Sequence, residues 1–263
     1  MNILDFEKRK LNQQKISMVT CYDYTSARIL SETSVDILLV GDSLAMTLYG
    51  FENTLSATLD IMQLHTKAVC RGAKNKFILG DLPFLTYRKS MSENISNAGV
   101  LMQAGAHAVK LEGAAGNTDL ITRLTQSGIP VMGHLGLTPQ SIAMLGGYKL
   151  QGKTASAAEV LKREALLLQE AGCFSLVLEC VPAALGKEIT ESLLIPTIGI
   201  GAGRFTDGQV LVFQDLLGLN KDFKPKFVKT FLNGFEQIKN SVDHYVDEIN
   251  SGVFPSDEHS YQS

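Results

Sequence analysis

The chain has 263 residues, 45% of them hydrophobic, with a formal net charge of -3 and a pI near 6.0. That is enough apolar material for one large domain around one core, and no basic stripe interleaved with aromatics offers nucleic acid a footprint. No stretch approaches the roughly 18 apolar residues of a membrane span, so small molecules are the expected partners.

In chain order, the opening segment MNILDFEKRKLNQQK is charged and polar throughout. It lacks the apolar core and cleavage pattern of a signal peptide, which predicts a cytoplasmic protein. Short apolar runs flanked by turn residues follow at 15–23, 36–43, 76–83, 108–113, 129–136, 175–181 and 195–203, with an eighth, QVLVF, at 209–213. Each reads as a buried parallel strand. Helical spacing occupies 24–33, 58–71, 92–104, 118–126, 155–171 and 183–192, alternating with the strands. Several helices stop on a glycine just before the next strand, as in QAGAHAVKL and EAGCFSLVL.

The repeated unit is therefore strand, loop, helix, tight turn, and eight of them fit a (β/α)8 barrel better than an open doubly wound sheet. Apolar residues at helical spacing over 225–252 predict a closing helix, packed on the outside of the barrel or on a neighbouring subunit. The polar tail FPSDEHSYQS is expected to lack order. The organisation predicted for 1–263 is one barrel domain with a C-terminal helical extension. Cys21, Cys70, Cys173 and Cys180 lack paired spacing, so reduced thiols are expected rather than a zinc site or disulfide framework.

Barrel enzymes work at the C-terminal rim of the strands. Here the strand ends carry Asp42 (LLVGD), Asp81 (FILGD), Lys110 and Glu112 (VKLE), His134 (VMGH) and Glu179 (LVLE). Any single Asp in such a place can instead cap the following helix. Side chains alternate along a strand, so Lys110 and Glu112 share one face while Val109 and Leu111 share the other. If the apolar pair meets the helices, the charged pair points into the barrel mouth and needs partners there. A mutual structural ion pair would suffice.

The functional alternative is a cation site shared by Asp42, Asp81 and Glu112, with Lys110 left to meet an anionic ligand. Oxygen ligands without a His or Cys cluster suit a hard ion such as Mg2+. A 2-oxo acid could chelate such an ion, whose charge would favour an enolate, and Glu179 on another strand is the candidate base. His134, in the Gly-flanked GHLGLTPQS, either bonds a substrate oxygen or only orients its loop. The glycines of GIGAG (Gly199, Gly201, Gly203) depart from a dinucleotide fingerprint and read as a tight strand-end loop.

The stretches TCYDYTSA, LLVGDSLAMT, HTKAVCRGA, ILGDLPF, AVKLEG, GHLGLTPQS, GGYKLQG, LVLECVP, PTIGIGAG, TDGQVLV and FPSDEHSY, in this order, resemble the ketopantoate hydroxymethyltransferase family from about Thr20 onward. The resemblance implies a (β/α)8 TIM barrel of the phosphoenolpyruvate/pyruvate type. It also implies transfer of a one-carbon unit from 5,10-methylenetetrahydrofolate to 2-oxoisovalerate in pantothenate synthesis. By the same resemblance Asp42, Asp81 and Glu112 serve Mg2+, while Asp42, Ser43, Asp81 and Lys110 bind the oxo acid. Glu179 is the proton acceptor, and the chain forms a homo-oligomer, a decamer. Ala45, Arg204 and the EGAAG loop depart from the family pattern without removing a metal or acid-base group. The competing readings are a folate-independent lyase or mutase of the same barrel type, a metabolite-binding regulator without turnover, and a flavin or nicotinamide oxidoreductase. Intact Lys110 and Glu179 argue against a regulator, since simple binding needs no positioned base.

Overall fold

The apolar runs form eight parallel strands: β1 (Ile16–Thr20), β2 (Ile37–Val40), β3 (Phe77–Asp81), β4 (Ala108–Glu112), β5 (Val131–Gly136), β6 (Ser175–Glu179), β7 (Thr197–Ile200) and β8 (Gly208–Leu211). In the computed structural model, which describes residues 1–221 and 225–262, they pair in sequence order and close when β8 meets β1. Closure needs Gly208. A Cβ there would lie 2.3 Å from the Ile16 carbonyl oxygen, so a side chain would force the last strand off the first.

The helices are α1 (Ile3–Leu11), α2 (Tyr24–Ser31), α3 (Leu44–Thr47), α4 (Leu59–Gly72), α5 (Met91–Gln103), α6 (Thr118–Gln126), α7 (Ile142–Leu145), α8 (Ala155–Glu170), α9 (Ala183–Ser192), α10 (Phe213–Leu216) and α11 (Gly234–Ser251). Asp23, Thr58, Ser90 and Thr154 cap the starts of α2, α4, α5 and α8 with side-chain oxygens, which fixes where these long outer helices begin. Two compact units can be described, Met1–Val212 with the barrel and a second from Phe213 onward.

Inside the barrel Ile16, Met18, Ile37, Leu39, Phe77, Leu79, Ala108, Met132, Val177, Ile198 and Val210 form one apolar cluster. It includes Phe6 of α1, whose ring meets Phe77 at 5.2 Å and Phe174 at 4.7 Å edge to face. The sequence reading assigned no element to residues 3–11; they form a capped helix, with Asn2 and Asp5 making a reciprocal capping box. Because Ala108 belongs to the interior cluster, the period of two sends Lys110 and Glu112 inward as well. Both are buried, as the alternation of VKLE required.

Three expectations are corrected. His134 lies within β5, inside the strand run read at 129–136, and not in the loop read for GHLGLTPQS. Helix in the closing segment begins at Gly234 rather than 225, because the amides of Phe231 and Gly234 bond the carbonyls of Leu216 and Leu217 at 2.8 and 2.9 Å, which holds this stretch to α10. Finally, the tail contains a 3-10 turn at Asp257–His259, and Ser263, also part of that expectation, lies outside the described residues. Along α11, Ile238, Val242, Tyr245, Val246 and Ile249 are exposed. All four cysteines are free thiols. Burial pushes Cys21, Cys173 and Cys180 up to about 12 and Cys70 up to about 11, which disfavours the thiolate. Among the described residues no helix is long and apolar enough to cross a membrane.

Candidate active site

At the C-terminal ends of β2 to β6 the interior changes from apolar to ionic. Register makes Asp81 the neighbour of Lys110, and Glu112 the neighbour of His134. The pairs are realised: Lys110 Nζ lies 2.8 Å from Asp81 Oδ1, and His134 Nδ1 lies 3.4 Å from Glu112 Oε1. The other imidazole nitrogen, Nε2, is 3.2 Å from Glu179 Oε2. A row of alternating sign thus runs around the rim from β3 to β6.

Asp42, one residue beyond Gly41 at the end of β2, joins this row through its backbone N–H, which donates to Asp81 Oδ2 at 3.2 Å. Its carboxylate accepts from the Gln140 amide at 2.7 Å, and the Gln140 backbone N–H donates to Glu112 Oε2 at 3.0 Å. Ser43 pairs with the Tyr22 hydroxyl at 2.8 Å. Asp42, Asp81, Lys110, Glu112, His134 and Gln140 are each at most 5% exposed. Only Glu179 and Ser43 reach toward solvent.

Crowding of charge shapes the titration of this cluster. Burial, then the charges of Asp81 and Glu112, push the Asp42 carboxyl up to about 8 against the opposing pull of Lys110 and Gln140. Asp81 is raised chiefly by burial, although Lys110 opposes the shift. Burial alone would drive the proton from Lys110, but Asp81, Glu112 and Asp42 hold it on, so the ammonium persists. His134 is raised to about 9: burial and Lys110 act against its proton, and bonds to Glu112 and Glu179 outweigh them. The imidazole thus stands between the two glutamates, with Lys110 Nζ 3.5 Å from its Nδ1.

Four acidic side chains stand here against two basic ones, an excess of acid that a divalent cation would offset. The donors Asp42, Asp81 and Glu112 offer only oxygen, which fits a hard ion. Among the described residues no group of three His, Cys, Asp or Glu side chains is arranged to hold a metal ion. A polar groove of about 470 Å3 lined by Lys8, Arg9, Asp36 and Lys76 lies beside α1, away from the strand ends that carry these acids.

Loops hold the site from outside. Arg88 and Asn117 both donate to the Glu112 carbonyl, at 3.4 and 3.0 Å. Tyr148 bonds Met46 Sδ at 3.4 Å and feels the charges of Glu179 and Asp42, which with burial raise its hydroxyl. At Gly136 the backbone takes φ +92° and a Cβ would fall 2.1 Å from the Glu179 carbonyl oxygen, so β5 can pass this close to the candidate base only with glycine. Gly201 and Gly203 turn the chain directly after β7, as the tight strand-end reading of GIGAG anticipated.

All six predicted residues, Asp42, Ser43, Asp81, Lys110, Glu112 and Glu179, lie at this one end of the barrel. Sequence reasoning missed Tyr22, Tyr87 and Gln140 and left His134 undecided. Gln140 stands in the GHLGLTPQS stretch already singled out, but a neutral amide in a loop carries no periodic signal.

The family model described as ketopantoate hydroxymethyltransferase matches residues 1–257. The chain is 56% identical over 259 residues to the 3-methyl-2-oxobutanoate hydroxymethyltransferase of Bdellovibrio bacteriovorus, covering 98% of each chain. It is 57% identical over 256 residues to that of Coxiella burnetii, covering 97% of this chain and 96% of the relative. Among solved structures, a phosphonopyruvate hydrolase in complex with oxalate and Mg++ superposes with a TM-score of 0.63 at 8% identity, covering 98% of this chain and 93% of that one. A 2,3-dimethylmalate lyase of the PEP mutase/isocitrate lyase superfamily gives 0.60 at 12%, covering 98% and 91%. These two likenesses speak for the fold.

Proposed function

The chain belongs to the ketopantoate hydroxymethyltransferase family, and from that premise we propose that its rim acids take Mg2+ together with a 2-oxo acid and that Glu179 removes the proton that starts the transfer. The activity is addition of a hydroxymethyl group to 3-methyl-2-oxobutanoate, a step of pantothenate biosynthesis. We assign 5,10-methylenetetrahydrofolate as the donor: with one water it yields ketopantoate and tetrahydrofolate.

The observation that carries the reading is the gathering of Asp42, Asp81 and Glu112 beside one lysine at the catalytic end of the barrel. Asp42 and Asp81 would hold the cation, with Glu112 behind them, and the bound ion would polarise the keto oxygen so that charge can develop there. Lys110, kept protonated by its three acids, offers an ammonium to the substrate carboxylate. Ser43, steadied by Tyr22, offers a hydroxyl. Glu179 takes the C3 proton, and His134 at 3.2 Å fixes the carboxylate that receives it. The donor's methylene is bonded to two folate nitrogens: one bond opens to give the iminium carbon to which the carbanion-like carbon bonds, and the other breaks as water bonds to the same carbon to supply the hydroxyl. The C3 proton and one proton of the water end on the two nitrogens.

A cytoplasmic location accords with four free thiols, and a homo-oligomer, a decamer by family resemblance, accords with the exposed apolar residues of α11. The single-domain reading takes 1–263 as one barrel domain with a C-terminal helical extension. Incubation of the protein with 2-oxoisovalerate, with and without methylenetetrahydrofolate and Mg2+, followed by mass analysis of the product, tests substrate, donor and metal together. Ketopantoate should form only when both are supplied. Turnover of the oxo acid without folate would move the chain to the lyases and mutases, and turnover unaffected by a chelator would remove the cation.

A further inference from the structure

Gln140 does more than any other neutral residue at the rim. It is 5% exposed and stands on the single 3-10 turn Pro139–Ser141 after β5. Its amide NH2 donates to Asp42 Oδ2 at 2.7 Å and to the Leu82 carbonyl at 3.0 Å. Its Oε1 accepts from the buried Tyr87 hydroxyl at 2.6 Å, and its backbone N–H donates to Glu112 Oε2 at 3.0 Å. One residue from β5's loop therefore touches acids from β2 and β4 and the loop after β3.

The orientation of the amide is not arbitrary. The Leu82 carbonyl can only accept, so the NH2 end must face it and Asp42, and Tyr87 can then donate to the oxygen at the other end. Both amide protons are used. The chemical choice matters as much as the geometry: a lysine or arginine here would satisfy Asp42 but would also supply the positive charge that a bound cation should supply. A neutral donor engages one carboxylate oxygen, adds no charge and leaves the acid attractive to a cation.

We propose that Gln140 is the positioning residue of the cation site, setting the orientation of Asp42 through its amide and of Glu112 through its backbone, with Tyr87 fixing the amide. The proposal rests on the Mg2+ reading above. Calorimetric titration of Mg2+ into the substrate-free full-length protein tests it with a readout separate from turnover. Gln140→Met keeps the backbone N–H on Glu112 but withdraws the amide from Asp42, and its Kd for Mg2+ should rise about 10- to 100-fold. Tyr87→Phe should weaken binding less, by about threefold to tenfold. Excess Mg2+ should restore most of kcat in both variants, a rescue that general damage to the fold would not show. If Gln140→Met does not fold, Gln140→Asn, whose amide is too short to span the gap, decides in the same titration. A folded Gln140 variant that binds Mg2+ as tightly as wild type overturns the positioning role alone. Absence of Mg2+ binding by the wild type overturns the metal reading and this inference with it.

Discussion

Asp36 and Asp42 are six residues apart and titrate in opposite directions, for reasons visible in their partners. Asp36 precedes β2 and accepts from the Ser17 N–H and hydroxyl and, through both oxygens, from Arg9. Burial works against its charge, but these bonds outweigh burial and hold the carboxyl below its ordinary range. A depressed folded pKa means that the stabilisation is fully present above the unfolded value, near 3.9, and is lost as pH falls through the folded value. Asp36→Asn should therefore lower stability by about 1–2 kcal/mol at pH 7, and urea denaturation should show the gap closing below about pH 4. A gap that stayed constant with pH would remove the ionic account. Asp42 instead has acids for neighbours. The four rim acids were legible because they end apolar runs, whereas Gln140 and Tyr22 act through neutral polar groups that no pattern marks. His134 was misplaced into a loop because Gly133 imitates a turn signal; in the barrel that glycine makes room, since a Cβ would come 2.8 Å from Leu168.

At the scale of elements, α1 is the least advertised part of the fold and one of the more consequential. Its sequence ILDFEKRKL sets four apolar residues among five charged ones over nine positions, so periodicity over so short a span is weak, and the segment reads as merely polar. The signal lies in its ends: Asn2 and Asp5 cap it, and Lys8, Arg9 and Lys10 suit the negative end of its dipole. Phe6 is its one buried member of the interior cluster, and Ile3, half-buried, packs against that cluster. Phe6→Ala should destabilise the protein by about 3–5 kcal/mol, read as a lower urea midpoint, while kcat of the molecules still folded stays near wild type. A loss below about 1 kcal/mol would mean that the barrel core closes without α1. The outer helices were legible to within a few residues because α2, α4, α5 and α8 begin on capping side chains and a glycine follows within two residues of α5, α6 and α8. The closing segment was not, because 225–233 carries apolar residues at helical spacing while the Phe231 amide bonds the Leu216 carbonyl of α10.

On the scale of the whole molecule, the barrel was legible because every one of its strands is an apolar run followed by a loop and a helix, a repetition that few other folds produce. Within it the interior is apolar around Phe6 and Ile16 and ionic around Asp42 and Glu112, so stability and chemistry occupy different layers. The homo-oligomer proposed above assigns the exposed apolar residues of α11 to a contact between copies. Val242→Glu with Ile249→Glu should convert the assembly to smaller species in sedimentation velocity while the far-ultraviolet circular dichroism stays unchanged. An undiminished assembly would place the contact elsewhere.

The central claim is that acids on separate strands let a divalent cation make the keto acid easy to deprotonate, with Glu179 as the base. Deuterium incorporation at C3 of 2-oxoisovalerate in D2O, followed by NMR without any folate present, isolates that step. The account predicts exchange by the wild type with Mg2+, none after chelation, and at least a hundredfold slower exchange in Glu179→Gln. Exchange that continues at the wild-type rate in Glu179→Gln, or in the chelated enzyme, would contradict it.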